Sequence, residues 1–165
     1  MVETSIADLE SVADRLIERY NIPGLAPAVR EYKHVTAKRI GSASDPTAYE
    51  LNISGMLALN GLGELVGEDC KGQTLKIINN IATAISHASA HYGLQLSKED
   101  ALKHVTDTIV LLKDMGHFPQ VNEAYRDGGM PLACRAAFAV KDLPLSAKGV
   151  LVEIRANAYL PVPKA

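Results

Sequence analysis

The chain has 165 residues, of which 47% are hydrophobic types, and 17 lysines and arginines stand against 19 aspartates and glutamates. This length favours one domain, and this composition is sufficient for a hydrophobic core. The net charge of −2 argues against a dedicated nucleic-acid binder, which usually presents a basic surface. No apolar run approaches the length of a membrane span, so we expect no membrane partner.

The two cysteines, Cys70 and Cys134, lie far apart and show no Cys-x-x-Cys spacing. They are too few for a disulfide scaffold and wrongly spaced for a zinc site. We therefore expect two reduced thiols in a cytoplasmic protein, and the N-terminus shows no signal-peptide pattern. Cys134 falls in a strand-like segment and is expected to be buried and inert.

Residues 1–24 have the pattern of a helical arm ahead of a main domain at 25–165. Ser5 is a candidate N-cap. Apolar residues then recur at helical spacing, at Ile6, Leu9, Val12 and Leu16. Because Pro23 and Gly24 follow, this helix is predicted to end near Asn21.

The main domain alternates strand and helix signals, although the pattern at 26–49 is poor. The predicted elements are strands at 49–54, 105–112, 131–140 and 150–158, and helices at 72–92 and 118–125. This order favours an α+β layer fold with helices on one face of the sheet.

The last two strand-like segments carry Arg135 and Glu153, which we expect to project from neighbouring strands. An arginine fork can hold a carboxylate through two parallel hydrogen bonds, and a nearby glutamate can orient or deprotonate water. The pair therefore predicts a small site for hydrolysing a carboxylate-bearing molecule. The same pattern is equally typical of a plain ion pair between adjacent strands.

An ordered set of motifs resembles the Rid family, the YjgF-type reactive-intermediate deaminases that are also described as endoribonucleases. The matching positions are Ser54 and Gly55, the 63–67 turn, Gln73, Asn80, Ile81, 112–115, Phe118, Val121, Asn122, Tyr125, Arg135, Leu143, Pro144 and 152–154. The resemblance covers about residues 50 to 160, and the N-terminal arm resembles the extension of one subgroup.

This resemblance implies a chorismate-mutase-like fold, with a mixed sheet and two main helices on one face, assembled as a homotrimer with sites between subunits. It implies that Arg135 grips the substrate carboxylate and that Glu153 positions the attacking water. The other implied substrate-binding positions are Asn122, the backbone at Gly55 and Ala137, and Tyr32.

The implied reaction is hydrolysis of a small imine or enamine to a keto product and ammonia, with no metal or organic cofactor. A non-catalytic trimeric ligand-binding or sensor protein, which binds a keto acid or similar anion in the same pocket, is the alternative. Departures from the family pattern at Met56, Arg155 and the 145–147 insertion leave the substrate open. His87 and His91 have metal-ligand spacing, but no His-Glu-x-x-His motif accompanies them, so no metal site is predicted.

Overall fold

The computed structural model describes residues 16–29, 31–42, 44–130 and 133–163. Its centre is a mixed sheet with the order β1-β2-β3-β6-β4-β5, in which only β4 and β5 run parallel. The strands are β1 (Ile17–Tyr20), β2 (Val35–Gly41), β3 (Pro46–Met56), β4 (Val105–Leu112), β5 (Cys134–Ala139) and β6 (Val152–Pro161).

Two main helices, α1 (Cys70–His91) and α3 (Phe118–Asp127), pack together, and the short α2 (Lys98–Leu102) lies against α1. The α1 helix begins after Asp69, whose carboxylate accepts a 2.7 Å hydrogen bond from the Gly72 amide. The predicted α+β fold, with a mixed sheet and two main helices on one face, is therefore confirmed.

Alternation along β6 defines the two faces of the sheet. The helix face of β6 is buried under α1 and consists of Val152, Ile154, Ala156, Ala158 and Leu160. The open face of β6 consists of half-buried or exposed side chains, Glu153, Arg155, Asn157 and Tyr159. A side chain's face therefore decides whether it belongs to the core or to a surface that can receive a ligand or a partner.

The prediction of a helix extending to Asn21 is wrong over its last turn, because Ile17–Tyr20 is an edge strand paired antiparallel with β2. Pairing with β2 supplies the backbone hydrogen bonds that a helix would have made internally. The Glu18 carboxylate also meets the Arg39 guanidinium of β2 at 3.0 Å. The earlier part of the predicted arm, 1–15, lies outside the described residues.

The poorly patterned 26–49 region contains all of β2, which the sequence did not reveal. Two polar residues, Lys38 and Arg39, interrupt the apolar alternation of this strand. Among the described residues, no helix combines the length and apolar character needed to cross a membrane.

Candidate functional site

Arg135 is held in a fixed position at the edge of the sheet by residues of α3. Its guanidinium donates a 2.6 Å hydrogen bond to the Asn122 side-chain oxygen. Its Cζ atom lies 4.6 Å from the ring centre of Tyr125 and 5.2 Å from that of Phe118, within cation–π range. The Tyr125 hydroxyl donates to Thr108 Oγ1 of β4 at 3.0 Å, which fixes that ring in turn.

The Arg135 fork keeps donors available for a ligand. A guanidinium has five N–H groups, and the contacts above use one hydrogen bond and the π face. No carboxylate of the described residues lies within ion-pair distance of it. Ala137, two residues along β5 on the same face, completes what we call the arginine half-site: Asn122, Arg135 and Ala137.

Glu153 lies in a different place, in a cavity of about 530 Å³ that also contains Tyr32 and Gly55. We call these three residues the glutamate half-site. The remaining cavity walls come from 25–29, 33–34, Ser54, 56–57, Leu59, Asn80, Pro144 and Arg155. The cavity is large enough for a small organic substrate and is lined mostly by apolar groups.

A bulge in β3 brings its backbone against the Glu153 carboxylate. The pairing register of β3 with β6 shifts between Ile53 and Met56, so that an advance of three residues along β3 matches an advance of two residues along β6. A Cβ atom built on Gly55 would lie 1.9 Å from Glu153 Oε1, so only glycine permits this approach. Burial raises the pKa of the Glu153 carboxyl above its usual value, which makes its carboxylate a better proton acceptor.

Replacing Gly55 with alanine is expected to displace the Glu153 carboxylate towards solvent. The pKa of Glu153 should then fall towards its ordinary value, and the free energy of unfolding should change little, because the clashing atoms all belong to one side chain that can move. Carboxyl NMR titration and denaturant unfolding measure the two effects. Gly116→Ala, remote from the cavity, is the control, and an unchanged Glu153 titration in Gly55→Ala would contradict this packing.

Two buried polar side chains fix the walls of the cavity. His34 Nδ1 accepts from the Ile22 amide at 2.9 Å, and Nε2 lies 2.9 Å from the Ala26 carbonyl, so the ring is neutral with its proton on Nε2. Burial lowers the pKa of His34, in agreement with that state. Asn80 of α1 donates to the carbonyls of Leu57 and Leu59 at 3.2 and 3.0 Å.

The prediction that Arg135 and Glu153 project from neighbouring strands is wrong, because β4 lies between β5 and β6. Arg135 pairs with Thr108 and Glu153 with Leu111, three residues apart on β4. The side chains of two residues paired across neighbouring strands lie on the same face of the sheet. Along one strand, residues separated by an odd number of positions lie on opposite faces. Arg135 thus projects from the helix face and Glu153 from the open face. One chain does not bring the two half-sites together.

Cys134 is exposed, so its predicted burial is wrong for this chain. It lies on the edge strand β5 and pairs with Asp107 on the open face, where no described element covers it. Cys70 is buried, and burial raises the pKa of its thiol to about 11. The described residues contain no group of three or more potential metal ligands, and His91 lies 3.2 Å from the Glu18 carboxylate instead.

Three further residues line the cavity although no sequence pattern indicated it: Lys33, His34 and Asn80. His34 and Asn80 contact backbone groups, which side-chain patterns do not reveal. Lys33 gave no signal because it lies in the poorly patterned segment before β2.

The fold and the cavity define a small α+β domain with ligand-binding potential, and comparisons with known proteins give its family. Residues 41–160 match the family described as Endoribonuclease L-PSP. The chain therefore belongs to this family, which agrees with the resemblance found in its motifs.

Individual relatives agree with the family assignment. A RutC family protein of Pyrococcus abyssi is 36% identical over 98 residues, 59% of this chain and 67% of that protein. Reactive Intermediate Deaminase A, chloroplastic, of Arabidopsis thaliana is 25% identical over 134 residues, 76% of this chain and 65% of its own length. The solved structure of RidA from an Antarctic Psychrobacter species has a TM-score of 0.65 at 28% identity, covering 87% of this chain and 99% of that one.

Proposed function

We propose that the protein is a hydrolytic deaminase of a small carboxylate-bearing imine or enamine. The observation that carries this proposal is the Arg135 fork, fixed by Asn122 and two aromatic rings yet without a carboxylate partner among the described residues. Such a fork is suited to a ligand carboxylate. The Arabidopsis relative, named a reactive intermediate deaminase, supports the reaction class.

In the proposed mechanism, Arg135 binds the substrate carboxylate and Asn122 orients the fork. An enamine first takes a proton on carbon, and an imine takes one on nitrogen, so that both reach the same iminium ion. Glu153 accepts a proton from water as the water oxygen bonds to the iminium carbon, which gives a neutral carbinolamine. Glu153 then returns that proton to nitrogen. The carbon–nitrogen bond breaks as the carbinolamine hydroxyl gives its proton to the Glu153 carboxylate, and ammonia and the keto product leave. The chemistry needs no metal or organic cofactor, because an imine carbon is already electrophilic.

We further propose that each site forms between two copies of the chain in a homotrimer. The two half-sites project from opposite faces of the sheet, so a neighbouring copy is required to bring an Arg135 to a Glu153. Two large apolar side chains of the open face, Phe138 and Tyr159, are 55% and 43% exposed, and a neighbouring copy would cover them. In this proposal Ala137 and Gly55 contact the substrate through their backbones, and Tyr32 closes the cavity. We also propose a cytoplasmic location, a compartment in which the two free thiols would stay reduced.

Ammonia release from an imine tests the function directly. An amino-acid oxidase generates 2-imino acids in solution, and the purified protein is expected to speed their conversion to oxo acid and ammonia above the spontaneous rate. Because the substrate is open, a panel of imino acids and enamines is needed. No acceleration with any of them would contradict the deaminase proposal.

A ligand sensor is the second candidate, and one relative favours it. A candidate regulator, AldR, of Lactococcus lactis is 30% identical over 109 residues, 66% of this chain. A sensor would bind oxo acids through Arg135 without accelerating imine hydrolysis, so binding without turnover would favour it. Cleavage of RNA, which the family description names, fits less well, because the chain carries no excess of basic residues to hold a phosphate backbone.

A further inference from the structure

The cavity around Glu153 has an excess of positive charge. Its charged lining residues are Lys33, Glu153 and Arg155, that is, two cations and one carboxylate. The other titratable groups of the lining, His34 and Tyr32, add no charge, since hydrogen bonds hold the His34 ring neutral. A single monoanionic substrate, whose carboxylate is already held by Arg135, would leave this excess uncompensated.

Of the two cations, Arg155 is the better placed to bind an anionic group of the substrate. It follows Glu153 by two residues on β6, so both project from the open face with backbones roughly 6.6 Å apart. Its guanidinium donates a 3.2 Å hydrogen bond to the Asn52 side-chain oxygen. That partner is neutral, and no carboxylate of the described residues lies within ion-pair distance of Arg155. Asn52 thus orients the fork without neutralising it.

Lys33 lies on the wall of the same cavity. Its backbone carbonyl accepts a 2.6 Å hydrogen bond from the Ser54 hydroxyl, which ties this wall to β3 beside Gly55. Two cations therefore line the cavity together with one carboxylate, and an anionic group of a ligand would be attracted to the cations and repelled by Glu153.

We propose that Arg155, assisted by Lys33, forms a second anion subsite, and that the substrate is therefore a dianion whose second acidic group is a short carbon chain away from the reacting carbon. This inference rests on the proposed function and adds the substrate class to it. One carboxylate is held by Arg135 of a neighbouring copy, the imine carbon faces Glu153, and the second carboxylate is held by Arg155. A monocarboxylic imine occupies the same site but leaves Arg155 without a ligand.

Binding of product-like oxo acids tests the subsite without depending on turnover. Isothermal titration calorimetry compares 2-oxoglutarate, a dicarboxylate, with 2-oxobutyrate, a monocarboxylate, at equal pH and ionic strength. The wild-type protein is expected to bind the dicarboxylate about 10-fold more tightly, as one charge-assisted contact predicts. Arg155→Gln should remove this preference, and Arg155→Lys should restore part of it. Lys38→Gln, which removes an equal charge outside the cavity, should keep the full preference.

The outcomes separate the two proposals. Binding of both oxo acids through Arg135 with equal affinity, or a dicarboxylate preference that survives in Arg155→Gln, overturns the second subsite and leaves the deaminase proposal standing. Failure of the wild-type protein to bind either oxo acid overturns the second subsite, and the deaminase proposal falls with it only if the protein also accelerates the hydrolysis of no imine or enamine in the panel. Thermal unfolding of each variant shows that the fold is intact, which is expected because Arg155 is exposed.

Discussion

Replacing Arg135 with alanine is expected to lower kcat/KM for imine hydrolysis by about 100-fold or more. In the proposed mechanism the substitution removes a bidentate contact to the substrate carboxylate, and truncating one member of such a charged pair costs about 3 kcal/mol. Arg135→Lys keeps the charge but loses the fork, so it should recover only part of the rate. Steady-state ammonia release over a range of substrate concentrations measures the effect.

The control for Arg135 is Arg126, an exposed arginine on the same α3 helix that holds Asn122. Arg126→Ala makes the same chemical change and should keep the wild-type rate. Since Arg135 packs on the rings of Phe118 and Tyr125, the unfolding temperature of both variants must be compared. Wild-type activity in a folded Arg135→Ala protein would contradict the role assigned to the fork.

Mixing two inactive variants gives a sharper test of where the site forms. In the proposed cyclic trimer each site would take Arg135 from one copy and Glu153 from the next, so random assembly of Arg135→Ala with Glu153→Gln chains would leave about a quarter of the sites intact. Co-expressed chains should therefore regain about a quarter of the wild-type activity per site. Each variant alone should stay inactive. No recovery in verified mixed trimers would contradict a site shared between copies.

Replacing Glu153 with glutamine is expected to lower kcat by about 100-fold or more while binding of the product oxo acid is retained, because a general base contributes about 10²–10⁴ in rate. The amide keeps the shape of the side chain and cannot accept the proton of water. A loss of kcat with little change in oxo-acid affinity would distinguish catalysis from ligand sensing. The exposed Glu68, outside the cavity, is the control, and Glu68→Gln should behave as wild type.

The pH dependence of the wild-type rate follows from the same carboxyl. Burial raises the pKa of Glu153, and the ionised form is the one that acts as a base. As the pH is lowered, the rate should therefore begin to fall at a higher pH than it would if the base were a glutamate of ordinary pKa. The pH profile of kcat measures this. A rate that stays constant to the ordinary glutamate range would argue against Glu153 as the base.

The raised pKa of Glu153 also has a consequence for stability: acidification should increase stability while it decreases the rate. A raised pKa means that the folded chain binds this proton more tightly than the unfolded chain, so the ionised carboxylate costs stability at neutral pH. That cost disappears as the pH falls from the folded pKa of Glu153 to its unfolded value. Glu153→Gln should therefore unfold at a temperature no lower than wild type at pH 7, and any advantage should vanish in acid.

The sequence was sufficient to predict those elements whose pattern lies entirely within the element. The strand Val105–Leu112 and the helix Cys70–His91 agree with the predictions to within two residues, because β-branched residues and a regular apolar face are local properties. The prediction from sequence failed at β1, because a segment predicted to be the end of a helix is a strand paired with β2. It also failed at Cys134, since strand composition does not reveal that β5 is the edge of the sheet.

Residue order and residue type were enough to predict the class of fold and to nominate Arg135 and Glu153 as candidate site residues, since neither depends on how distant segments meet. That these two side chains lie in separate clusters is visible only in the folded chain. The insertion of β4 between their strands and the alternation of the pleat assign them to opposite faces of the sheet. Strand order and register arise from contacts between segments distant in the chain, which is why no local pattern could reveal them.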